Sequence, residues 1–185
     1  MLTPFGDATY NSLRTQLTRL LSDSSLLGMA YTWSKAENYA DNSDSGLTWN
    51  YEPLWERNYA LADFDRTHNL QIYGVYALPF GPGRKWANQG LAAAIAGGWQ
   101  VNGVFQAFNG APFTVTASGT ELNTPGNTQT ADLVGSVTRI GEIGANGYYY
   151  DPAAWAQPTG QRFGNSFINQ FRGPGGWNLD LSIFR

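Results

Sequence analysis

The sequence predicts an all-β fold of antiparallel up-and-down strands. Successive side chains of a strand point to opposite faces, and two segments follow this period of two. The first carries large apolar side chains at every second position: Leu27, Met29, Tyr31 and Trp33. The second does the same: Trp177, Leu179, Leu181 and Ile183. Small or polar residues lie between them, which is typical of a strand with lipid outside and water inside. A soluble sandwich gives the same alternation, so a second observation is needed.

That observation is the alternating length of the connections between five predicted strands. The strands cover about residues 7–21, 26–35, 67–78, 99–107 and 177–184. The connections are in turn short, long, medium and very long. Bacterial barrels have short turns on the periplasmic side and long loops outside, whereas a soluble sandwich has no reason to lengthen every second connection. The sequence therefore predicts part of a transmembrane β-barrel with two long loops, residues 36–62 and 118–176.

The first two strands are predicted to form a hairpin. Apolar and polar positions alternate in the first strand, with Leu13, Thr15, Leu17 and Leu21 on one face and Ser12, Arg14, Gln16 and Thr18 on the other. The short polar segment 22–25 turns the chain into the second strand. The stretch that follows is rich in Asn, Asp, Trp and Tyr and has no clear period, so it is predicted to be a loop.

Glycine and proline bound the third and fourth strands. The segment 79–83, Pro-Phe-Gly-Pro-Gly, stops the third strand because proline cannot donate to the ladder. In the next connection, residues 91–96 predict one or two helical turns, which Gly97 and Gly98 end. The fourth strand then alternates, with Trp99, Val101 and Phe105 facing away from Gln100, Asn102 and Gln106. Residues 113–117 are predicted to extend it after an interruption at 109–112.

The composition agrees with this fold and excludes several classes of function. The 185 residues carry a net charge of −3, 14% charged residues, 15% aromatics and 22 glycines, as expected of an all-β chain with many turns. No Lys/Arg cluster occurs, so nucleic acid is not expected as a partner. Without cysteine there is no disulfide, thiol nucleophile or thiolate metal site. No apolar run of about 18 residues predicts a transmembrane helix.

The number of strands predicts that this chain is part of a larger structure. Five strands are too few to close a barrel, since the smallest barrels have about eight, and both edges of the sheet would need partners. Residues 1–6 have neither the charged start nor the apolar stretch of an export signal. We therefore expect residues 1–185 to form a partial barrel domain, excerpted from a longer polypeptide and without its signal peptide.

Several short motifs lie in order along nearly the whole chain, none of them specific by itself. They are Tyr10-Asn11-Ser12-Leu13, Tyr31-Thr32-Trp33-Ser34-Lys35, Asp65-Arg66-Thr67-His68-Asn69, Leu78-Pro79-Phe80-Gly81-Pro82-Gly83-Arg84, Gly97-Gly98-Trp99-Gln100, Gly110-Ala111-Pro112-Phe113, Phe163-Gly164-Asn165, and Arg172-Gly173-Pro174-Gly175 followed by Asn178-Leu179-Asp180. In number and order these motifs resemble the barrel of outer-membrane TonB-dependent receptors. The closest resemblance is to the Oar-like receptors, which have a carboxypeptidase-regulatory-like N-terminal domain.

The resemblance implies nutrient uptake across the outer membrane of a Gram-negative bacterium. Such receptors bind a scarce nutrient with their extracellular loops, and a plug domain opens when TonB, driven by the inner-membrane proton gradient, pulls on it. The implied partners are the lipid bilayer, an unidentified nutrient ligand and TonB. TonB would act only through N-terminal parts, because residues 1–185 contain no plug and no TonB-binding segment. No cofactor is implied, and the chain is expected not to be an enzyme.

Aromatic residues of the two long loops are the candidate ligand contacts. They are Trp49, Tyr51 and Trp55 in the first loop and Tyr149 and Trp155 in the second. Such rings can stack on a sugar or another flat ligand. Packing within the loop, or at the membrane interface where Trp and Tyr concentrate, explains them as well. Both interpretations stay open at this point.

Other chemistry is predicted to be absent. Asp63, Asp65 and His68 could bind a metal, but a second ligand cluster is missing. We expect instead that residues 63–68 form a motif at the start of a strand, in which the polar groups pair with each other and with the backbone of the loop. Glu52 and Glu56 could act as an acid/base pair, yet no nucleophile elbow or phosphate loop occurs. No metal or catalytic residue is therefore predicted. The alternative functions are a soluble all-β ligand- or glycan-binding module and, behind it, a small hydrolase.

Overall fold

A computed structural model describes residues 6–22, 24–40, 47–124, 127–142 and 147–185. Its strands, in chain order, are β1 (Ala8–Ser22), β2 (Ser25–Asn38), β3 (Ala60–Leu61), β4 (His68–Ala77), β5 (Gln100–Phe108), β6 (Pro112–Phe113), β7 (Asp132–Leu133), β8 (Trp155–Ala156), β9 (Phe171–Arg172) and β10 (Gly176–Phe184). Its helices are α1 (Gly90–Ala96) and two 3-10 turns, Glu52–Asn58 and Pro152–Ala154. In the part of the chain described, no helix has both the length and the apolar character to cross a bilayer.

The chain divides into two compact units. The sheet unit contains Ser12–Trp33, Thr67–Phe108 and Gly176–Arg185. The loop unit contains Met1–Asn11, Ser34–Arg66 and Asn109–Gly175, and thus most of both predicted long loops.

The five long strands of the sheet lie in the order β1-β2-β4-β5-β10. Each long strand therefore pairs with the next one along the chain, and the β2–β4, β4–β5 and β5–β10 pairs are antiparallel. This arrangement confirms the predicted up-and-down fold and all five predicted strands. The sheet formed by the described residues is open, with β1 and β10 at its edges.

One face of the sheet, here called the apolar face, carries the large side chains. The register runs from Met29 to Ile72, from Ile72 to Phe105 and from Phe105 to Leu179, so these residues form one transverse row. In β2, Leu27, Met29 and Trp33 leave 39–46% of their surface exposed, whereas Ala30 leaves 7%. The predicted separation of large and small side chains onto opposite faces of β2 is therefore confirmed, and these three large side chains are exposed in the described sheet.

The opposite face, here called the polar face, carries the amide and hydroxyl side chains. Gln71, Gln106 and Asn178 form one of its transverse rows. Arg14 of β1 lines a polar hollow of about 200 Å³ together with Ala30, Thr32, Asn69 and Gln71. The Gln16 amide donates to the Tyr73 hydroxyl at 3.2 Å. These contacts place Arg14 and Gln16 of β1 on the polar face, as predicted.

A glycine on the polar face makes room for an aromatic ring. Gly28 is paired with Tyr73, and a Cβ added to Gly28 would lie 2.3 Å from the Tyr73 Cζ atom. Glycine within a strand commonly marks such a close approach. The Tyr73 ring can therefore lie across β2 and present its hydroxyl to Gln16 of β1.

We expect Gly28→Val to destabilise the protein by about 1–3 kcal/mol, the usual cost of overpacking. The new methyls would displace the Tyr73 ring and break its hydrogen bond to Gln16. Unfolding by urea in detergent micelles measures the change. Ala30→Val is the matched control, because Ala30 lies in the same strand and on the same face and borders the polar hollow. Equal losses for the two variants would show that the ring contact is unimportant.

The register also confirms the predicted alternation of the connections. Trp33 pairs with His68, and Phe108 pairs with Gly176, so both long connections leave the sheet at the same end. The short β1–β2 connection and the medium β4–β5 connection lie at the other end. Within the β4–β5 connection, α1 coincides with the predicted helical turns at residues 91–96.

Two details of the sequence prediction were wrong. Residues 113–117 do not extend β5, since Phe113 belongs to β6, which pairs with β9 in the loop unit. Pro112 has no N–H to continue the ladder, and Gly110 packs so closely on the Gly173 carbonyl that no Cβ would fit. The stretch 36–62 is not all loop either, because β2 continues to Asn38 and the 3-10 turn Glu52–Asn58 and β3 follow.

Candidate functional site

The loop unit has a polar core built around an ion pair. The Asp65 side chain is 1% exposed and pairs with the Arg172 guanidinium at 2.5 Å. It also accepts a hydrogen bond from the Ala36 backbone N–H at 2.7 Å. Arg172 donates to the Gly110 carbonyl at 3.3 Å as well. A buried carboxylate needs such partners, and these contacts join four positions that lie far apart in the sequence.

Trp49 is a second buried element of the loop unit. Its side chain is fully buried, and its indole N–H donates to the Thr128 carbonyl at 2.8 Å. The Asn58 side chain bonds both the N–H and the carbonyl of Trp49, and also the carbonyl of Trp55. Trp49 therefore presents no surface to a ligand in this structure. Of the two interpretations of this residue, packing within the loop is the one that fits. Trp55 is half-buried in the 3-10 turn.

Arg57 links the first long loop to the second. Its guanidinium lies 4.5 Å from the centre of the Trp49 ring and donates to the Gly164 and Ser166 carbonyls at 3.0 and 2.7 Å. Burial lowers the pKa of Arg57 from its ordinary value, although arginine stays charged in proteins. The two loops are therefore held together by charge-assisted hydrogen bonds.

Tyr51 is the only one of the five predicted ligand contacts whose side chain is exposed. About half of its surface is exposed, and its ring stacks on Phe163 with the centroids 6.3 Å apart and the planes 19° from parallel. Gly164 follows Phe163 and lies against the Thr130 carbonyl, where a Cβ would come within 1.9 Å. This close backbone contact positions Phe163 beside Tyr51, so the two long loops together form one aromatic surface.

Tyr149 and Trp155 belong to a second aromatic group. Tyr149 meets Tyr150 edge-on at 4.8 Å, and Trp155 meets Phe171 edge-on at 5.1 Å. Tyr150 lies between them and donates to the Arg172 carbonyl at 2.6 Å. Burial raises the pKa of the Tyr150 hydroxyl, which keeps it neutral and able to donate. Trp49, Tyr51 and Trp55 instead lie on and beside the 3-10 turn Glu52–Asn58.

A second ion pair stabilises β7. The Asp132 side chain is 9% exposed and accepts hydrogen bonds from the Arg162 guanidinium and from the Asn165 backbone N–H. The Arg162 hydrogen bond lowers the pKa of Asp132 below its ordinary value. A carboxylate with a lowered folded-state pKa stabilises the fold above its unfolded pKa, and this contribution is lost as the pH falls through the folded-state value.

We therefore expect the loop unit to loosen in acid, beginning below about pH 4, the ordinary range of an aspartate. Tryptophan fluorescence followed against pH measures the transition. Asp132→Asn should flatten this pH dependence and lower the stability at neutral pH, since the charged partner is lost. An unchanged acid transition in Asp132→Asn would refute the assignment to Asp132.

The residues considered for a metal are engaged with other groups. The His68 Nδ1 atom lies 2.6 Å from the Tyr31 hydroxyl, and the two rings stack. Asp65 accepts a hydrogen bond from the Ala36 backbone, in line with the expected pairing with backbone, but its ionic partner Arg172 lies outside the motif at residues 63–68. In the described ranges, no group of three or more His, Cys, Asp or Glu is placed to hold a metal ion. Glu52 and Glu56 are exposed on the 3-10 turn.

The comparison with protein families agrees with this architecture. The chain matches the family described as outer membrane beta barrel domain over residues 1–185. The chain therefore belongs to this family and is an outer-membrane β-barrel protein of a Gram-negative bacterium. Searches of curated proteins and of solved structures returned no significant match.

Sequence reasoning missed the residues that organise the loop unit, chiefly Arg57, Arg162 and Arg172. For Arg172 the sequence contains one signal. Asp65, Gly110 and Arg172 all lie within the motifs that resemble the receptor family, and the structure brings these three residues into contact. Arg57 and Arg162 carry no comparable signal.

Proposed function

We propose that this chain forms part of the barrel of a TonB-dependent receptor, which takes up a nutrient that its extracellular loops bind. The main support for this proposal is that both long connections are folded, with buried side chains of their own. Loops longer than about 12–15 residues are usually functional or disordered. These two contain buried ion pairs and a buried tryptophan, and binding residues are often carried by such loops on a rigid scaffold.

The two faces of the sheet support a transport role. We assign the apolar face to lipid and the polar face to a water-filled lumen, as in other barrels of the outer membrane. The open sheet would close by pairing with further strands. Barrels of about 22 strands enclose a plugged lumen in outer-membrane transporters, and TonB would act on such a plug through N-terminal parts of the receptor.

The choice of a TonB-dependent receptor among outer-membrane barrels is supported by the motifs. Their resemblance to Oar-like receptors covers nearly the whole chain. Three of them supply the Asp65, Gly110 and Arg172 contacts, so the resemblance includes residues that fold the loops and not only the strands.

We also propose that the chain has no catalytic role. Asp65 and Asp132 are bound to arginines, and Glu52 and Glu56 are exposed without a nucleophile predicted beside them. The soluble binding module is not retained as an alternative, because the chain belongs to an outer-membrane family.

Uptake by cells tests the proposed function. A strain that lacks the gene should deplete one class of solute from a complex medium more slowly than the parent strain. This difference should disappear when an uncoupler collapses the proton gradient, because TonB draws on that gradient. Depletion profiles that are identical with and without the gene would contradict a role in uptake. A difference that survives the uncoupler would point to a passive pore.

Tyr51 tests the binding site once the solute is known. Tyr51→Ala should weaken binding by about 1–3 kcal/mol, by analogy with other stacking sites. Calorimetry on the intact receptor measures the loss. Trp99→Ala is the control, since Trp99 adjoins β5 at the end of the sheet away from the long connections. If Tyr51→Ala binds as the parent does while the protein is folded, the ligand does not stack on this surface.

A further inference from the structure

The connection between β4 and β5 carries an exposed apolar patch. Leu91 and Ile95 of α1 are 77% and 63% exposed, and they lie one helical turn apart on the same side of the helix. Trp86 and Trp99 are 51% and 36% exposed. We call these four residues the α1 patch. A helix of seven residues is not stable in water by itself, so its contacts must hold it.

Those contacts fix α1 to the margin of the apolar face. Trp99 precedes β5 and continues the series of Val101 and Phe105 on that face, and its indole N–H donates to the Ile95 carbonyl at 3.0 Å. Arg185 continues the corresponding series of β10, and its guanidinium donates to the Ala94 carbonyl. The helix therefore lies beside the apolar face, at the end of the sheet opposite to the one from which the two long connections leave. In outer-membrane barrels this end is periplasmic.

The charges of the connection are all of one sign. Residues 78–99 contain Arg84 and Lys85 and no acidic residue, although the chain as a whole has a net charge of −3. The Lys85 ammonium lies 5.1 Å from the centre of the Trp86 ring, and Arg84 donates to the Ser24 hydroxyl at 3.2 Å. Basic residues beside tryptophan and aliphatic side chains are typical of segments that lie in the headgroup region of a membrane.

We propose that the connection 78–99 is an interfacial anchor. Leu91 and Ile95 insert into the periplasmic leaflet of the outer membrane, and Arg84 and Lys85 lie against the phosphate groups of its phospholipids. The anchor fixes the depth of the barrel at its periplasmic rim. This inference rests on the outer-membrane family and the apolar face, and it holds whether or not the barrel is a TonB-dependent receptor.

Spin labels measure the insertion directly. Residues 1–185 contain no cysteine, so Leu91→Cys and Ile95→Cys each give one labelling position, with any cysteine elsewhere in the intact protein replaced by serine. Glu121→Cys in the second long loop is the aqueous control, since Glu121 is exposed and lies outside the connection 78–99. The protein is reconstituted in vesicles of phosphatidylethanolamine and phosphatidylglycerol, and relaxation by oxygen and by an aqueous nickel chelate is compared.

We expect oxygen to dominate at positions 91 and 95, with a depth of about 5–10 Å below the phosphate level. The nickel chelate should dominate at position 121. If the chelate relaxes positions 91 and 95 as it relaxes position 121, the connection lies in water and the proposal fails. If both reagents are excluded there, a protein partner or a second copy covers the patch, and the proposal also fails.

A charge variant tests the phosphate contacts separately. The double variant Arg84→Gln, Lys85→Gln should reduce the depth at position 91 in vesicles with phosphatidylglycerol. It should leave this depth unchanged in vesicles of an uncharged lipid that has no phosphate group. A depth that is the same in both lipids for the parent and the variant would contradict the phosphate contacts.

Discussion

Met29→Lys is expected to lower the free energy of unfolding in a bilayer by about 2–4 kcal/mol, the cost of a cation near the midplane on the lipid side of a barrel strand. Trp33 and Trp99 lie toward the two opposite ends of the apolar face. Met29 lies in the transverse row with Ile72, Phe105 and Leu179. The ammonium would have no polar partner there. Unfolding by urea from lipid vesicles measures the loss.

Gln106→Lys provides the matched control, because it places the same charge at a similar height on the other side of the sheet. Gln106 is paired with Gln71 and Asn178 on the polar face. The ammonium would reach water and amide groups, so the stability should change little. If Met29→Lys and Gln106→Lys lower the free energy of unfolding equally, the two faces of the sheet do not differ in their contact with lipid.

Arg172→Ala is expected to cost about 3–5 kcal/mol, because it leaves the buried carboxylate of Asp65 without its cation. The loss should be confined to the loop unit, where Asp65, Ala36 and Gly110 meet around Arg172. Hydrogen exchange should therefore become faster in the loop unit, while the strands of the sheet keep their protection.

Arg139→Ala is the control for this variant. Arg139 pairs with Glu142, but both side chains are largely exposed, and such surface pairs contribute about 0–1 kcal/mol. Adding Asp65→Asn to Arg172→Ala removes the uncompensated charge and should recover part of the stability. If Arg139→Ala has as large an effect as Arg172→Ala, the buried pair does not organise the loops.

The sheet could be predicted because its pattern is local. A period of two assigns each side chain to a face, and a shift of one residue would place Met29 on the polar face and Ala30 on the apolar face. The up-and-down strand order then follows from the alternating lengths of the connections. The extension at residues 113–117 was wrong because its pairing partner, Phe171, is distant in the sequence.

The loop unit could not be predicted in the same way, because its contacts are not local. Trp49 and Tyr51 are two residues apart in one polar stretch, yet Trp49 is fully buried and Tyr51 is half exposed. The difference arises from Thr128, which accepts the Trp49 N–H from 79 residues away, and from Phe163, which stacks on Tyr51. No period or motif of the sequence contains that information.

The most direct test of the account is a depth measurement along β10, where four consecutive residues alternate between the faces. Single cysteines at Leu179, Asp180, Leu181 and Ser182 carry a nitroxide in the reconstituted protein. If the apolar face contacts lipid, oxygen should relax the labels at 179 and 181 more strongly, and the aqueous nickel chelate should relax those at 180 and 182 more strongly. Four labels with the same preference would contradict an outer-membrane strand with one face to lipid and the other to the lumen.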